Sequence, residues 1–106
     1  MKAVFLAEAE TDIKELRLYI IKRFGTTTWR ETLQAIKTAV RDTAAFPRRG
    51  HIPDELAELG LTQYRQVLAG MNRIIYEERG DILHIHIVCD TRKDLRSLLA
   101  RRMLRG

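Results

Sequence analysis

Residues 82–93 read ILHIHIVCDTRK, and they hold the densest group of side chains able to do chemistry. His84 and His86 stand two apart, so on a strand both imidazoles leave one face. Asp90, Arg92 and Lys93 follow at once. Imidazole titrates near neutral pH and can give or take a proton. A neighbouring carboxylate could orient it, and an arginine could hold a phosphate or carboxylate in its planar fork of donors. Zinc is the other use of paired histidines, but it needs three or four ligands. Asp90, His51 and Cys89 are the remaining donors. Cys89 alternates to the opposite face, and no H-x-E or C-x-x-C accompanies the pair, so no metal and no cofactor is expected.

The other candidates are arginines. Arg48, Arg49 and His51 lie in a Pro- and Gly-containing loop, Arg65 and Arg73 in two strand-like stretches, and Arg92 where the last strand gives way to a helix. Arg96, Arg101, Arg102 and Arg105 continue the basic end, opposed within residues 90–106 only by Asp90 and Asp94. With a formal charge of +5 over 106 residues, the chain suits an acidic partner, either nucleic acid or an acidic protein segment. A P-loop, a Rossmann fingerprint, a zinc-protease helix and a nucleophile elbow are all absent from the sequence. Ser97 is the sole serine and has no base beside it.

The elements that must position these residues follow from periodicity. Residues 2–7, KAVFLA, form a short apolar first strand. Ala9, Ile13, Leu16, Ile20 and Phe24 then recur at three- and four-residue spacing, one face of an amphipathic helix stopped by Gly25. Thr28 and Glu31 have the spacing of a capping box, opening a second helix with Leu33, Ile36, Val40 and Ala44 inward, ended by Pro47. A loop over 47–60 contains one helical turn in DELAEL. Strands over 62–69, 72–78 and 82–89 are separated by Gly70 and by Arg79-Gly80-Asp81, which makes an antiparallel meander. Strict alternation puts Leu83, Ile85, Ile87 and Cys89 on one face and His84 and His86 on the other. Asp90 or Thr91 caps a last helix carrying Leu95, Leu98, Leu99 and Met103.

The expected architecture is therefore α+β in the order β-α-α-β-β-β-α. An antiparallel sheet is packed on one face by an N-terminal helical hairpin, a basic helix ends the chain, and the second sheet face stays open. One domain spans 1–106. Cys89 is the single cysteine, so an internal disulfide cannot form. The opening MKAVFLAEAE is too short in its apolar part for a signal sequence, and no run is long enough for a bilayer, so a cytoplasmic protein without membrane contact is expected.

Taken in order, the stretches AEAETDIKELRLYIIKRFG, FPRRGHIPDELAELGLTQYRQV, NRIIYEERGDILHIHIV and DTRKDLRSLLARRML resemble the RelE/ParE superfamily, the toxin halves of bacterial type II toxin–antitoxin pairs. The resemblance covers nearly the whole chain. It implies growth inhibition, a role in plasmid stabilisation, an acidic antitoxin wrapped around the toxin, and operator DNA reached only through that antitoxin. It also implies one of two mechanisms. RelE-like members cut messenger RNA on the ribosome, where the candidates would be Arg65, Arg73, His84, His86 and Arg92. ParE-like members inhibit DNA gyrase by binding, where Arg48, Arg49, Arg65, Arg73, Arg92, Arg96, Arg101 and Arg102 are the contact candidates. Arg92 matches the arginine after the last strand in RelE-like enzymes. Leu98 stands where RelE has a tyrosine, Leu68 stands where it has an arginine, and the 47–60 loop has no lysine. The gyrase reading is thereby favoured over the ribonuclease. A non-toxic interaction module of the same fold is the third reading.

Overall fold

A computed structural model describes the backbone of residues 1–104 and the side chains of residues 1–102. The elements are β1 (Lys2–Phe5), α1 (Ala7–Phe24), α2 (Thr26–Ala45), the single turn α3 (Asp54–Ala57), β2 (Tyr64–Ala69), β3 (Asn72–Arg79), β4 (Ile82–Asp90) and α4 (Leu95–Leu104). This is the α+β order expected, with the helical hairpin on one sheet face. Met103, expected on the inward face of α4, has a side chain outside the described residues.

The sheet runs β1-β4-β3-β2. β2, β3 and β4 form the antiparallel meander. β1 departs from the expected pattern: it lies parallel to β4, with Lys2 opposite Ile82 and Phe5 opposite Ile85, so the sheet is mixed. Parallel neighbours need a long crossover, and here the whole α1–α2 hairpin lies in the connection from β1 to the meander.

Gly25 takes φ +94°, a value that favours glycine, and both helices meet there. Its N–H bonds the Ile20 and Ile21 carbonyls, closing α1. Thr28 and Glu31 do not cap α2. The helix begins at Thr26, and the Thr28 hydroxyl donates back to the Phe24 carbonyl at 3.3 Å. Phe24, expected to face inward, is exposed and rests edge-on against Tyr19. The cap of α4 is also displaced. Asp94 accepts from the Arg96 and Ser97 N–H groups and from the Ser97 hydroxyl, while Thr91 and Lys93 are held in the preceding turn by Met71 and Asp90 carbonyls.

Two apolar layers clothe the sheet. Ala9, Ile36, Ala39 and Val40 of the hairpin meet Val67, Ala69, Ile74, Tyr76, Leu83, Ile85 and Val88. On the other face Ile75, Ile87 and Cys89 meet Leu56, Leu95 and Leu99, with Leu61, Tyr64 and Leu98 beside them. The second face is therefore covered, not open. α3 and α4 supply buried leucines, each contributing roughly 2 kcal/mol by leaving water.

A bulge produces this division. Tyr76 pairs with Ile85 but Ile75 pairs with Ile87, leaving His86 extra in β4. The expected shared face of Leu83, Ile85, Ile87 and Cys89 is thus split. Leu83 and Ile85 face the hairpin, while Ile87 and Cys89 face α4. Strict alternation fails because one inserted residue exchanges the faces of all that follow.

The loop before β2 is held from below. The buried Tyr76 hydroxyl donates to the Pro47 carbonyl at 2.6 Å and accepts from the Gly50 N–H at 3.1 Å. Burial pushes its pKa up, against the pull of Gly50 and of the Arg65 and Arg49 guanidiniums. A Cβ at Gly50 would lie 2.6 Å from both that hydroxyl and the Gln66 carbonyl. Tyr76→Phe would leave one buried donor and one acceptor unpaired, so urea unfolding should show a loss of about 1–3 kcal/mol. A change under about 0.5 kcal/mol would mean the loop is held by other contacts.

Candidate interaction site

β1 stops at Phe5, and the Leu6 N–H makes the last backbone bond to β4, on the Ile85 carbonyl at 3.0 Å. Beyond it the outer edge of β4 has no neighbouring strand among the described residues. α1 leaves the sheet on one side and α4 returns on the other. Between them runs a groove of about 710 Å³, floored by Val88, Cys89, Leu16 and Leu98.

Side chains replace the missing strand. Asp12 Oδ2 accepts from the Val88 N–H at 2.9 Å, and Arg102 Nη1 donates to the His86 carbonyl at 2.7 Å. Arg102 Nη2 donates to Asp12 Oδ1, and Arg102 Nε lies 3.7 Å from Glu8. The Asp12 and Arg102 side chains are only 11% and 13% exposed. Burial pushes the Asp12 pKa up, opposed by the Val88 N–H and by Arg102. Sequence reading did not single out Asp12. The legible sign was a carboxylate on the apolar stripe, three residues after Ala9 and four before Leu16.

The rims of the groove carry opposite charge. Glu8 and Glu15 project from α1, while Arg92, Lys93 and Arg101 stand opposite. Arg101 is exposed and has no ion pair among the described residues. Arg92 is 78% exposed and forks onto Asp90, with Nε–Oδ1 at 2.8 Å and Nη2–Oδ2 at 3.0 Å. That fork, with the Arg92 N–H on the same carboxylate, holds the Asp90 pKa down at about 2. Tyr19 closes the end of the groove, its ring 5.3 Å from the Arg23 guanidinium.

The remaining candidates are scattered. Arg73 is 7% exposed. It donates to Gln66 at 3.2 Å, to Glu55 at 3.3 Å and to the Lys93 carbonyl at 2.8 Å, tying β3 to β2, α3 and the turn before α4. Its Nε finds no hydrogen-bond acceptor among the described residues. Cys89 lies across the strand pair from it, and burial raises that thiol's pKa despite the nearby cation. Arg65 donates to the Gly50 carbonyl at 2.8 Å. Arg96 pairs with Glu58, just after α3. Arg49 lies 3.4 Å from Asp42, and Arg48 is exposed with no ion pair among the described residues.

His84 and His86 share the α4 side of the sheet. His86 Nε2 lies 2.9 Å from Glu77 Oε1, and the ring meets Tyr64 edge to face at 5.1 Å. Burial pulls the His86 pKa down, and Glu77 opposes it. Among the described residues no three His, Cys, Asp or Glu side chains converge as a metal site. No described helix is long and apolar enough to cross a membrane. The structure thus joins Arg92, Arg101 and Arg102 around the groove and places Arg65 and Arg73 in the frame, while His86 lines a smaller cleft with Tyr64, Leu99 and Arg102.

Residues 3–95 match the family model described as the ParE toxin of the type II toxin–antitoxin system, parDE. A comparison with curated proteins gives no match. Among solved structures, a chain of the chromosomal ParDE TA system from P. aeruginosa is similar in fold, with a TM-score of 0.70 at 13% identity. The match covers 85% of this chain and 95% of that one.

Two outcomes test this geometry. Arg102→Met removes one partner of a nearly buried pair and strips a donor from the β4 edge, so the protein should lose roughly 3 kcal/mol or more in chemical denaturation. An unchanged midpoint would mean that α4 is held by its leucines alone. His86 has a folded-state pKa below its ordinary 6.5. As pH falls below that value, the unfolded chain binds a proton that the folded chain resists, so stability is lost toward acid. Thermal melts at about pH 7.5 and about pH 5.5 should show a larger drop for the wild type than for His86→Gln. Equal drops would remove His86 as the cause.

Proposed function

Because the chain belongs to the ParE toxin family of type II toxin–antitoxin systems, with an antitoxin as its partner, we propose that it arrests bacterial growth by binding DNA gyrase and performs no chemistry of its own. One observation carries this reading: four of the five side chains that RNA cleavage would use, Arg65, Arg73, His86 and Arg92, are already engaged. Cleavage by a 2′-hydroxyl requires a base, a cation for the phosphorane and an acid, all within reach of one phosphate. Here Arg73 is buried on three acceptors, Arg65 holds the Gly50 carbonyl, and His86 faces Glu77 and Tyr64. Arg92 is bound to Asp90. Leu98, at the position of the RelE tyrosine, is packed against the α4-side core. The acidic antitoxin would meet the exposed cations Arg48, Arg92, Arg96 and Arg101, and operator DNA would be reached through it.

A supercoiling assay with purified protein should show gyrase inhibited as toxin is added. Primer extension on messages from arrested cells should show no new 5′ ends. Unimpaired supercoiling at saturating toxin would sink the gyrase reading, and new ends would favour the ribonuclease.

A further inference from the structure

The loop from Phe46 to His51 is built more firmly than a connection requires. Five of its backbone groups are gripped. Tyr76 bonds the Pro47 carbonyl and the Gly50 N–H, and Arg65 donates to the Gly50 carbonyl. His51 exchanges both backbone bonds with Gln66, at 3.2 and 2.7 Å. Gly50 is pressed so closely on Gln66 and Tyr76 that no side chain fits.

The residues this frame turns outward are of another kind. Phe46 is 71% exposed, the highest value among the large apolar side chains described. Arg48 and Arg49 follow. Arg48 has no ion pair among the described residues, and Arg49 has one exposed contact with Asp42 at 3.4 Å, worth little and easily exchanged. A single exposed phenylalanine is unremarkable by itself. An aromatic beside two arginines on an immobilised backbone is different. These are residue types enriched at interfaces, and the ordering cost of binding has been met in the free protein.

We infer that the Phe46–Arg48–Arg49 loop is a docking element for a folded protein partner presenting an apolar pocket rimmed by carboxylates. The phenylalanine enters the pocket and the two guanidiniums meet the rim. A nucleic-acid strand fits less well: the loop offers one aromatic side chain, where binding a single strand relies on several stacking platforms along a basic groove. The inference deepens the gyrase reading above and rests on it for the identity of the partner.

The test compares Phe46→Ala and a double Arg48→Glu, Arg49→Glu variant with the wild type, using Leu68→Ala as a control for an exposed apolar side chain elsewhere. None of these side chains is among those holding the loop, and thermal melts check that each variant is folded. Binding to purified gyrase should weaken at least about tenfold for both loop variants and by less than about twofold for the control. Growth arrest should fall in the same order. Loop variants that arrest growth like the wild type overturn the inference. If wild-type protein leaves gyrase unbound while the loop variants still lose growth arrest, the gyrase reading fails and the docking loop stands. Wild-type protein that causes no arrest overturns both. Binding to a single-stranded oligonucleotide that disappears in the same variants overturns the protein-partner assignment.

Discussion

The Asp12–Arg102 pair is the interaction on which the rest of the structure depends. β4 continues beyond the end of β1, and a bare strand edge in a half-buried groove leaves backbone donors and acceptors without partners, a state that costs free energy and invites wrong pairing. Asp12 takes the Val88 N–H and Arg102 supplies the His86 carbonyl. Their own mutual bond joins α1 to α4. One pair of side chains thus closes the sheet edge, secures the bulge and fixes the last helix against the first.

That pair also reconciles the two-sided core with a short chain. The bulge at His86 sends Leu83, Ile85 and Val88 toward the helical hairpin and Ile87 and Cys89 toward α4. Among its described side chains α4 buries Leu95 and Leu99, and the polar tether at Arg102 and the outlying pair of Arg96 with Glu58 add to its attachment. Arg73 performs the same service on the far side, joining β2, β3, α3 and the turn before α4. Basic residues that look alike in the sequence therefore divide into a framework set and an outward set. Arg65, Arg73 and Arg102 hold the fold, while Arg48, Arg49, Arg92 and Arg101 remain at the surface.

The proposed mechanism, binding without catalysis, rests on this division. An RNA-cleaving centre needs free cations and a free base close together. A chain that uses its interior arginines as struts keeps only exposed ones, dispersed over a groove rim and a loop. Such a surface suits recognition of an acidic partner, where a few rigid anchors and long-range attraction matter more than one site of focused charge.

Element order, the helical hairpin, the Pro47 stop, the meander and the family were legible in the sequence, because periodicity and turn residues act locally. So was the position of Arg92 just after the last strand, where it stands exposed. Three features were not legible, each for a reason of distance. The parallel pairing of β1 with β4 joins residues about eighty positions apart. The bulge at His86 is a property of strand register and leaves no mark in an alternating run such as ILHIHIVC. The roles of Arg73 and Arg102 depend on carbonyls and carboxylates that only folding brings within reach. The amino-acid sequence by itself determined the elements, their order and the excess of positive charge. Tertiary structure decided which arginines became struts and which stayed at the surface, because a guanidinium is committed to the frame only when its acceptors are assembled around it.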